Sequence, residues 1–299
     1  MSEFLIKSIN LCKNYGKNTI LDNINLCIEK GDILGLIGKN GAGKTTLIRI
    51  ILSLASATSG KVEFLSKDKI TVGGLVESPA FYSYLSATEN LEYYRLLNGI
   101  KSKTSVKEML DFVGLNNTKN KKFKDFSLGM KQRLAIALAL INNPDLLVLD
   151  EPINGLDPMG IKEIRDLLLK INKEKGTTIL ISSHILSELS QLANTYAFID
   201  KGKIIEEISS DDLDDKCKSC LRIKVDNSEK ARYLLNEKLN IKAIDLIDNN
   251  TLYIYDYLDK PNIINKMLIQ SGIELFFSDF NETSLEDYFL NLIGGAING

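Results

Sequence analysis

The sequence predicts an α/β protein with a mostly parallel central sheet, a helical subdomain and a small C-terminal α+β domain. The apolar runs ILGLIG, LLVLD and TILIS are typical of parallel strands that are buried on both faces. Helical patterns lie between these runs, and such alternation is typical of α/β folds. A second series of short strands and helices begins near residue 214. A chain of 299 residues is therefore expected to divide into one large and one smaller domain.

Residues 1–213 form the predicted larger domain, with the helical subdomain at about residues 86–142. Residues 214–299 form the predicted accessory domain, whose patterns follow the order βαββαβ of a ferredoxin-like module. Its strands are expected near residues 221–225, 243–247, 252–257 and 273–278, and its helices near residues 228–239 and 261–270. The helical spacing of Leu285, Phe289 and Leu292 predicts a last helix that packs back on the rest of the chain.

Composition and charge argue against several classes of protein. The longest apolar run, residues 134–141, is too short to cross a membrane as a helix, and residues 1–10 do not resemble a secretory leader, so we expect a cytoplasmic location. A net charge of −2 without a long basic block does not favour a nucleic-acid partner. Cys217 and Cys220 have CxxC spacing, but the strand predicted after them favours free thiols over a redox or zinc site.

The motif GxxxxGK[ST], at residues 38–45, predicts a phosphate-binding loop. It lies directly after the apolar strand ILGLI and before the helical TTLIRIIL, as its mechanism requires. Glycines let backbone N–H groups point at phosphate oxygens, and the following helix N-terminus adds partial positive charge. Lys44 is expected to reach the outer phosphates, and Thr45 to offer its hydroxyl to Mg²⁺. The residues expected to bind nucleotide here are Gly38, Asn40, Gly41, Ala42, Gly43, Lys44, Thr45 and Thr46.

Two adjacent carboxylates, Asp150 and Glu151, follow the apolar strand LLVL. They are expected at the sheet edge where α/β proteins bind ligands. Because alternate residues of a strand point in opposite directions, the two can face one site only if the strand has ended. We assign Asp150 to the Mg²⁺ shell and Glu151 to polarising the attacking water. Together with the loop, this pair predicts nucleoside triphosphate hydrolysis.

The segment FSLGMKQR, residues 126–133, resembles the signature motif of ATP-binding cassette (ABC) ATPases. Ser127 and Gly129 match the common LSGGQ, whereas Leu128 and Met130 depart from it. The Ser127 hydroxyl can cap the helix that follows, whose free N–H groups then form a second anion site. The resemblance implies that two copies pair head to tail, each signature closing over the γ-phosphate that the other copy holds.

Three further residues lie in segments that resemble motifs of the same family, in the family's order. Asp157 lies in a segment similar to the D-loop, His184 resembles the switch histidine, and Tyr15 resembles the aromatic residue that stacks on adenine. The resemblance covers residues 1–213 and implies an ATPase with ATP and Mg²⁺ as its ligands. It also implies that His184 hydrogen-bonds the γ-phosphate and holds the attacking water and Glu151 in place.

Glu77 occupies a position where most ABC ATPases carry glutamine, at the hinge between nucleotide core and helical subdomain. With glutamate at this position, the chain resembles the branch of exporters that give bacteria immunity to lantibiotics and bacitracin-like peptides. A carboxylate can coordinate Mg²⁺ but lacks amide donors, so we group Glu77 with Thr45 and Asp150 as metal-binding residues. The apolar run at residues 79–82 is interpreted as part of the contact with a membrane partner.

These patterns and the family that they resemble imply the ATP-hydrolysing subunit of an ABC transporter, expected to act as a homodimer on the inner face of the cell membrane through a separate permease. A peptide antibiotic of the lantibiotic or bacitracin type is the expected exported cargo. The alternative is an ABC ATPase that acts on nucleic acid or ribosomes, but residues 46–126 leave no room for a long coiled coil and the chain has one cassette. A binding module without turnover is less favoured, because Glu151 and His184 are both present.

Overall fold

The computed structural model describes residues 4–65, 70–77, 80–101, 104–118, 120–281 and 285–295. Contacts divide the chain into an N-terminal unit, Met1–Ser210 with Leu292–Gly299, and a C-terminal unit, Asp211–Asn291. This division falls three residues before the expected boundary after residue 213 and assigns the chain's last residues to the N-terminal unit.

The N-terminal unit contains a mainly parallel sheet with strand order β5-β6-β7-β3-β8-β9, in which only the pairing of β9 with β8 is antiparallel among the described strands. These strands are β3 Ile33–Ile37, β5 Val72–Leu75, β6 Leu146–Leu149, β7 Thr178–Ser183, β8 Thr195–Asp200 and β9 Lys203–Ser209. The side chains of β3, β6 and β7 are fully buried. The prediction that these three apolar runs form central parallel strands is therefore confirmed.

A second, antiparallel sheet in this unit has the order β2-β1-β4. Its strands are β1 Phe4–Tyr15, β2 Asn18–Glu29 and β4 Ser59–Phe64. The helix α1, Lys44–Ile51, buries Leu47, Ile48 and Ile51 in the core that both sheets share. Burial of these apolar side chains fixes the helix, and with it the loop that precedes it.

Three of the remaining described helices of the N-terminal unit, α2, α4 and α5, begin at a capping side chain. Ser86 and Glu89 form a capping box at the start of α2, which stabilises the first turn by satisfying its free N–H groups. The helices are α2 Ala87–Leu97, α3 Thr104–Phe112, α4 Leu128–Ala139, α5 Pro158–Lys175 and α6 Leu186–Leu189. Of these, α2, α3 and α4 lie within the segment expected to be a helical subdomain.

The C-terminal unit contains an antiparallel sheet with the order β11-β12-β10-β13. Leu221, Ile223 and Val225 of β10 are buried in a core with side chains of α8 and α9, whereas Arg222 and Lys224 alternate with them on the other face. The elements are α7 Ser210–Lys216, β10 Cys220–Val225, α8 Ser228–Leu239, β11 Ile244–Leu246, β12 Thr251–Ile254, α9 Pro261–Gln270, β13 Leu275–Asn281 and α10 Leu285–Gly295.

The strand expected after the CxxC segment is present as β10. The thiols of Cys217 and Cys220 are both free. The last strand, β13, begins two residues later than expected and runs to Asn281. In the part of the chain that the structure describes, no helix is both long and apolar enough to cross a membrane.

Candidate functional site

The phosphate-loop motif connects β3 to α1 along a path that requires glycine. Gly41 and Gly43 have φ angles of 83° and 113°, which side-chain-bearing residues rarely adopt. A Cβ added to Gly38 would lie 2.4 Å from the carbonyl oxygen of Ile199. The helix α1 begins without a side-chain cap within the described chain, so the N–H groups of its first turn remain available to an anion.

Lys44 is the buried charged group of this loop, whereas Lys39 is exposed. Lys44 Nζ donates to the carbonyl oxygen of Gly38 at 2.6 Å and lies 3.1 Å from Glu151 Oε1. The ammonium is therefore held between the loop backbone and a carboxylate. A phosphate on the loop would meet a cation whose position is already fixed.

Asp150 is held through both of its carboxylate oxygens. Thr45 Oγ1 donates to Asp150 Oδ2 at 2.7 Å, and Ser182 Oγ donates to Asp150 Oδ1 at 2.6 Å. The backbone N–H of Glu151 donates in turn to Ser182 Oγ at 2.9 Å. Because β6 ends at Leu149 and Glu151 has a φ of 49°, the two carboxylates leave the strand alternation and face one site.

Glu151 connects the phosphate loop to His184. Its Oε2 lies 2.7 Å from His184 Nδ1, while its Oε1 contacts Lys44. His184 directly follows β7, and the hydroxyl of Ser183 donates to Glu188 Oε2 at 3.4 Å beside it. Burial raises the pKa of Glu188, whereas this hydrogen bond and the charge of His184 act in the opposite direction. The contacts place a potential base between a cation and an imidazole.

Lys44, Thr45 and Glu151 line a cavity of about 310 Å³, whereas Asp150, Ser182 and His184 contact these residues from outside its lining. The sequence did not single out Ile20, Lys39, Asn154 or Ser182, although Lys39 occupies a variable position of the loop motif and Ser182 lies just before Ser183-His184. Ile20 comes from β2, whose approach to the loop has no sequence signal. The lining residues are Ile20, Lys39, Asn40, Gly41, Gly43, Lys44, Thr45, Thr46, Glu151 and Asn154.

Among the residues predicted to bind nucleotide at the loop, Tyr15, Gly38 and Ala42 lie outside the lining of this cavity. Tyr15 ends β1 and is 53% exposed, with Lys13 Nζ 4.6 Å from the centroid of its ring. Ala42 is buried, and a Cβ on Gly38 would lie 3.1 Å from its methyl group. Ala42 therefore packs beneath the loop, whereas the Tyr15 ring is exposed and has the Lys13 ammonium over one of its faces.

The signature segment forms the start of α4, and the cap predicted for Ser127 is confirmed. Ser127 Oγ accepts from the backbone N–H of Met130 at 3.3 Å. A Cβ on Gly129 would meet open space, and Gly155, which has a φ of 75°, approaches Leu128. Asp157 caps α5 by accepting from the N–H of Gly160 at 3.1 Å.

The signature and the D-loop-like segment line a second concavity, of about 510 Å³. None of its lining residues also lines the phosphate-loop cavity. The predicted nucleotide-binding residues therefore fall into two separate groups. The residues of the second concavity are Ser127, Leu128, Gly129, Met130, Arg133, Gly155, Leu156, Asp157, Met159, Gly160 and Glu163.

Glu77 has a contact that the sequence did not predict. Its side chain is 72% exposed, and its Oε1 lies 2.6 Å from Arg49 Nη2 on α1. The sequence predicts that Glu77 binds Mg²⁺ together with Thr45 and Asp150. In the structure, Glu77 instead forms an ion pair with Arg49 on the helix that follows the phosphate loop. Two residues of the neighbouring segment, Ser78 and Pro79, lie outside the described residues.

Comparison with known proteins identifies the family of the chain. The model of the family "ABC transporter" matches residues 21–154. The bacitracin transport ATP-binding protein BcrA of Bacillus licheniformis is 42% identical over 303 residues, which is 99% of this chain and 99% of that protein. The lantibiotic transport ATP-binding protein SrtF of Streptococcus pyogenes is 48% identical over 208 residues, which is 68% of this chain and 90% of that protein.

Solved structures of ATP-binding cassettes share the fold. The ADP conformation of the cassette MJ1267 has a TM-score of 0.64 at 27% identity and covers 69% of this chain and 91% of its own. The cassette MJ0796, a dimer bound to ADP and Pi in a post-hydrolysis state, has a TM-score of 0.60 at 26% identity. The match covers 69% of this chain and 99% of that chain. With relatives this similar over its full length, the chain belongs to the ATP-binding proteins of ABC transporters, a family of nucleotide-binding ATPases.

Proposed function

We propose that this chain is the ATP-hydrolysing subunit of a transporter that exports a peptide antibiotic of the bacitracin or lantibiotic type, for self-protection or resistance. The observation that carries the proposal is the position of Glu151, whose two oxygens contact Lys44 and His184 at the phosphate loop. Relatives named for bacitracin and lantibiotic transport support the class of cargo.

The residues at the loop fit a magnesium ion. Mg²⁺ prefers oxygen ligands, one or two of them carboxylates, and the Thr45 hydroxyl and Asp150 carboxylate lie 2.7 Å apart. Glu77 is the third proposed ligand, and it would have to exchange Arg49 for the metal. When bound, Mg²⁺ supplies positive charge that offsets the charge of the phosphate oxygens.

Hydrolysis would use the contacts around Glu151. The loop N–H groups and Lys44 bind the ATP phosphates, and Glu151, released from Lys44, accepts a proton from the attacking water. His184 holds Glu151 through Nδ1 at 2.7 Å. The ring can donate both to Glu151 and, through Nε2, to the γ-phosphate only when it carries both protons. We therefore assign Glu151 as the catalytic base and His184 as the residue that orients it.

A second copy of the chain would complete the site. Ser127 and Gly129 lie at the N-terminus of α4, where free N–H groups favour an anion, and Asp157 lies in the same concavity. In the proposed homodimer, these residues close over the nucleotide on the partner's phosphate loop, while Tyr15 stacks on adenine. The dimeric cassette bound to ADP and Pi supports this pairing.

The proposed partner is a separate integral membrane permease, which would hold the chain at the inner face of the cell membrane. In this proposal residues 1–213 bind and hydrolyse ATP, residues 86–142 transmit the cycle to the permease, and residues 214–299 are accessory. The exposed aromatic rings of Tyr82 and Tyr84 support a contact near residues 79–82. Action on nucleic acid or ribosomes is not favoured, because the full-length relatives are transport proteins.

The test is protection of a sensitive cell. The chain is expressed in a bacitracin- or lantibiotic-sensitive bacterium together with the membrane protein that co-purifies with it. We expect the tolerated peptide concentration to rise, and we expect Glu151→Gln to abolish the rise while co-purification persists. Equal protection by wild type and by Glu151→Gln would refute ATP-driven export, and protection against neither peptide class would refute the proposed cargo.

A further inference from the structure

The strand β13 forms one edge of the sheet in the C-terminal unit, and it has the composition of a strand that is covered in use. Its sequence is LFFSDFN, and its neighbour in the sheet order is β10. Phe276, Phe277 and Phe280 are 59%, 42% and 48% exposed. Exposed aromatic residues on an edge strand are an aggregation hazard unless another strand covers them.

The opposite edge of the sheet is protected in the usual way. It is formed by β11, which has only the residues Ile244–Leu246 and carries the exposed Asp245. The strand β13 is longer and contains no lysine or proline. Its one charge, Asp279, accepts from Arg222 Nε and Nη2 at 3.1 and 3.0 Å within its own sheet. The charge that would repel an incoming strand is therefore neutralised.

We propose that β13 pairs antiparallel with β13 of a second copy, about a two-fold axis at Ser278, so that the two C-terminal sheets become continuous. Pairing at an edge satisfies the outward backbone groups and covers the aromatic side chains. The inference goes beyond the proposed function and assigns an interface to a unit that has none so far.

The pattern of the strand selects this position of the axis. Opposed residues must point to the same face of the joined sheet, so the axis passes through a residue rather than between two. An axis at Asp279 would set two aspartates directly opposite each other, which is unfavourable. An axis at Phe277 would lie at the end of the irregular stretch between Leu275 and Phe277, where the register of the pairing with β10 shifts. An axis at Ser278 keeps the two aspartates apart and lies outside that stretch, although Phe276 of the stretch then comes opposite Phe280 of the second copy.

Pairing about Ser278 is complementary in charge. It sets Asp279 of the second copy opposite Phe277, and the guanidinium of Arg222 already lies 4.8 Å from the centroid of the Phe277 ring. Each Arg222 can then contact both aspartates. Phe276 comes opposite Phe280 of the second copy, which joins the remaining exposed aromatic side chains in a cross-strand pair.

A second copy is favoured as the occupant because relatives pair through their cassettes, as in the dimeric structure bound to ADP and Pi. Two tethered C-terminal units would experience an effective concentration on the order of millimolar. The C-terminal unit is also an addition to the basic cassette. The match to SrtF covers 90% of SrtF but only 68% of this chain, whereas the match to BcrA covers 99% of both proteins.

The test is a disulfide across the axis in the full-length chain. Opposed residues of an antiparallel pair have Cα atoms about 4.5–5.5 Å apart, within the range for a disulfide. With Ser278→Cys we expect mild oxidation to give a covalent dimer on a non-reducing gel. The matched control is Ile247→Cys, an exposed position after β11 at the opposite edge, and we expect neither it nor wild type to cross-link.

A second variant separates pairing from folding. In the Ser278→Cys background, Phe276→Lys with Phe280→Lys should lower the cross-linked fraction about tenfold, while ATPase rate and circular dichroism stay within about twofold of the parent. Absence of a Ser278→Cys dimer in a folded, ATP-hydrolysing sample would overturn the proposal, as would equal cross-linking by Ile247→Cys. Cross-linking of Ser278→Cys to a membrane protein instead would also overturn it. Loss of ATPase in wild type would count against the proposed function and not against this interface.

Discussion

The phosphate-loop region and the signature region of the N-terminal unit differ in how completely their polar side chains are held. At the phosphate loop, Lys44, Glu151 and His184 are joined by contacts, and Thr45, Asp150 and Ser182 by others. The polar groups at the signature instead contact their own helices, Ser127 on α4 and Asp157 on α5, and leave an open concavity. The side chains of the first region are therefore held in place by one another, whereas the second region, in the proposed dimer, supplies half of a site to the partner copy.

The largest effect is expected from Glu151→Gln, which keeps the shape of the side chain but removes the base. The rate of ATP hydrolysis should fall by about 10²–10⁴, while ATP affinity changes by less than about threefold. Hydrolysis and equilibrium binding are measured separately. The control is Glu188→Gln, a carboxylate four residues after His184 in the chain, which should lower the rate by less than about fivefold. A similar loss in both variants would contradict the assigned role of Glu151.

A large effect is also expected at the signature, where Ser127→Asp preserves a capping side chain but adds negative charge. The helix should remain stable, because aspartate is a good N-cap, and the hydrolysis rate should fall about 10²-fold as the anion site is lost. Ser86→Asp makes the same change at the cap of α2 and should leave the rate unaltered. Equal rates in the two variants would mean that the signature is only a helix start.

Lys44→Ala should weaken ATP binding about 10- to 100-fold, since charge-assisted hydrogen bonds contribute about 1.5–3 kcal/mol. Lys39→Ala is the matched control, because Lys39 lines the same cavity but is exposed. Its effect should stay below about threefold. Calorimetric titration with ATP measures both. If Lys39→Ala weakened binding as much as Lys44→Ala, the buried ammonium would have no special role.

A smaller effect is expected from Ser182→Ala, which removes the hydroxyl between Asp150 and the backbone N–H of Glu151. The loss of two hydrogen bonds should lower the hydrolysis rate about tenfold and raise the Mg²⁺ concentration needed for half-maximal rate. Ser183→Ala, one residue further along β7, should change the Mg²⁺ requirement by less than about twofold. An unchanged requirement in Ser182→Ala would exclude a role for Ser182 in orienting Asp150.

The smallest effect concerns the ion pair of Arg49 and Glu77, whose exposure limits its contribution to about 0–1 kcal/mol. If Glu77 binds the metal, Glu77→Gln should raise the Mg²⁺ concentration for half-maximal hydrolysis up to about fivefold. Arg49→Gln should lower it, because it releases the carboxylate. Shifts in the same direction for both variants would show that Glu77 does not bind Mg²⁺.

Local patterns in the sequence were sufficient for the central strands and the phosphate loop. The apolar runs predict β3, β6 and β7, because parallel strands covered on both faces need continuous apolar residues. The loop motif predicts the N-terminus of α1 for a similarly local reason. The cap at Ser127 needs only the residue type and the helical pattern after it.

Long-range contacts could not be derived from these patterns. The pairing of Arg49 with Glu77 depends on the turn that Glu77 makes at a φ of 62°, which favours glycine rather than glutamate. Ser182 supports Asp150 because β7 is the neighbour of β6, and strand order is not visible in a single sequence. The sequence argument for Asp150 and Glu151 had to leave open where the strand ends.

The central claim, that nucleotide is hydrolysed between the phosphate loop of one copy and the signature of another, is tested most directly by mixing two inactive variants. Lys44→Ala weakens ATP binding on one face of the site, and Ser127→Asp removes the anion site on the other. At an ATP concentration that just saturates the wild type, each homodimer should therefore be nearly inactive. An equal mixture should regain about a quarter of the wild-type rate, because half of the dimers are mixed and each has one intact site of two. No recovery in a sample where mixed dimers are shown to form would contradict the account.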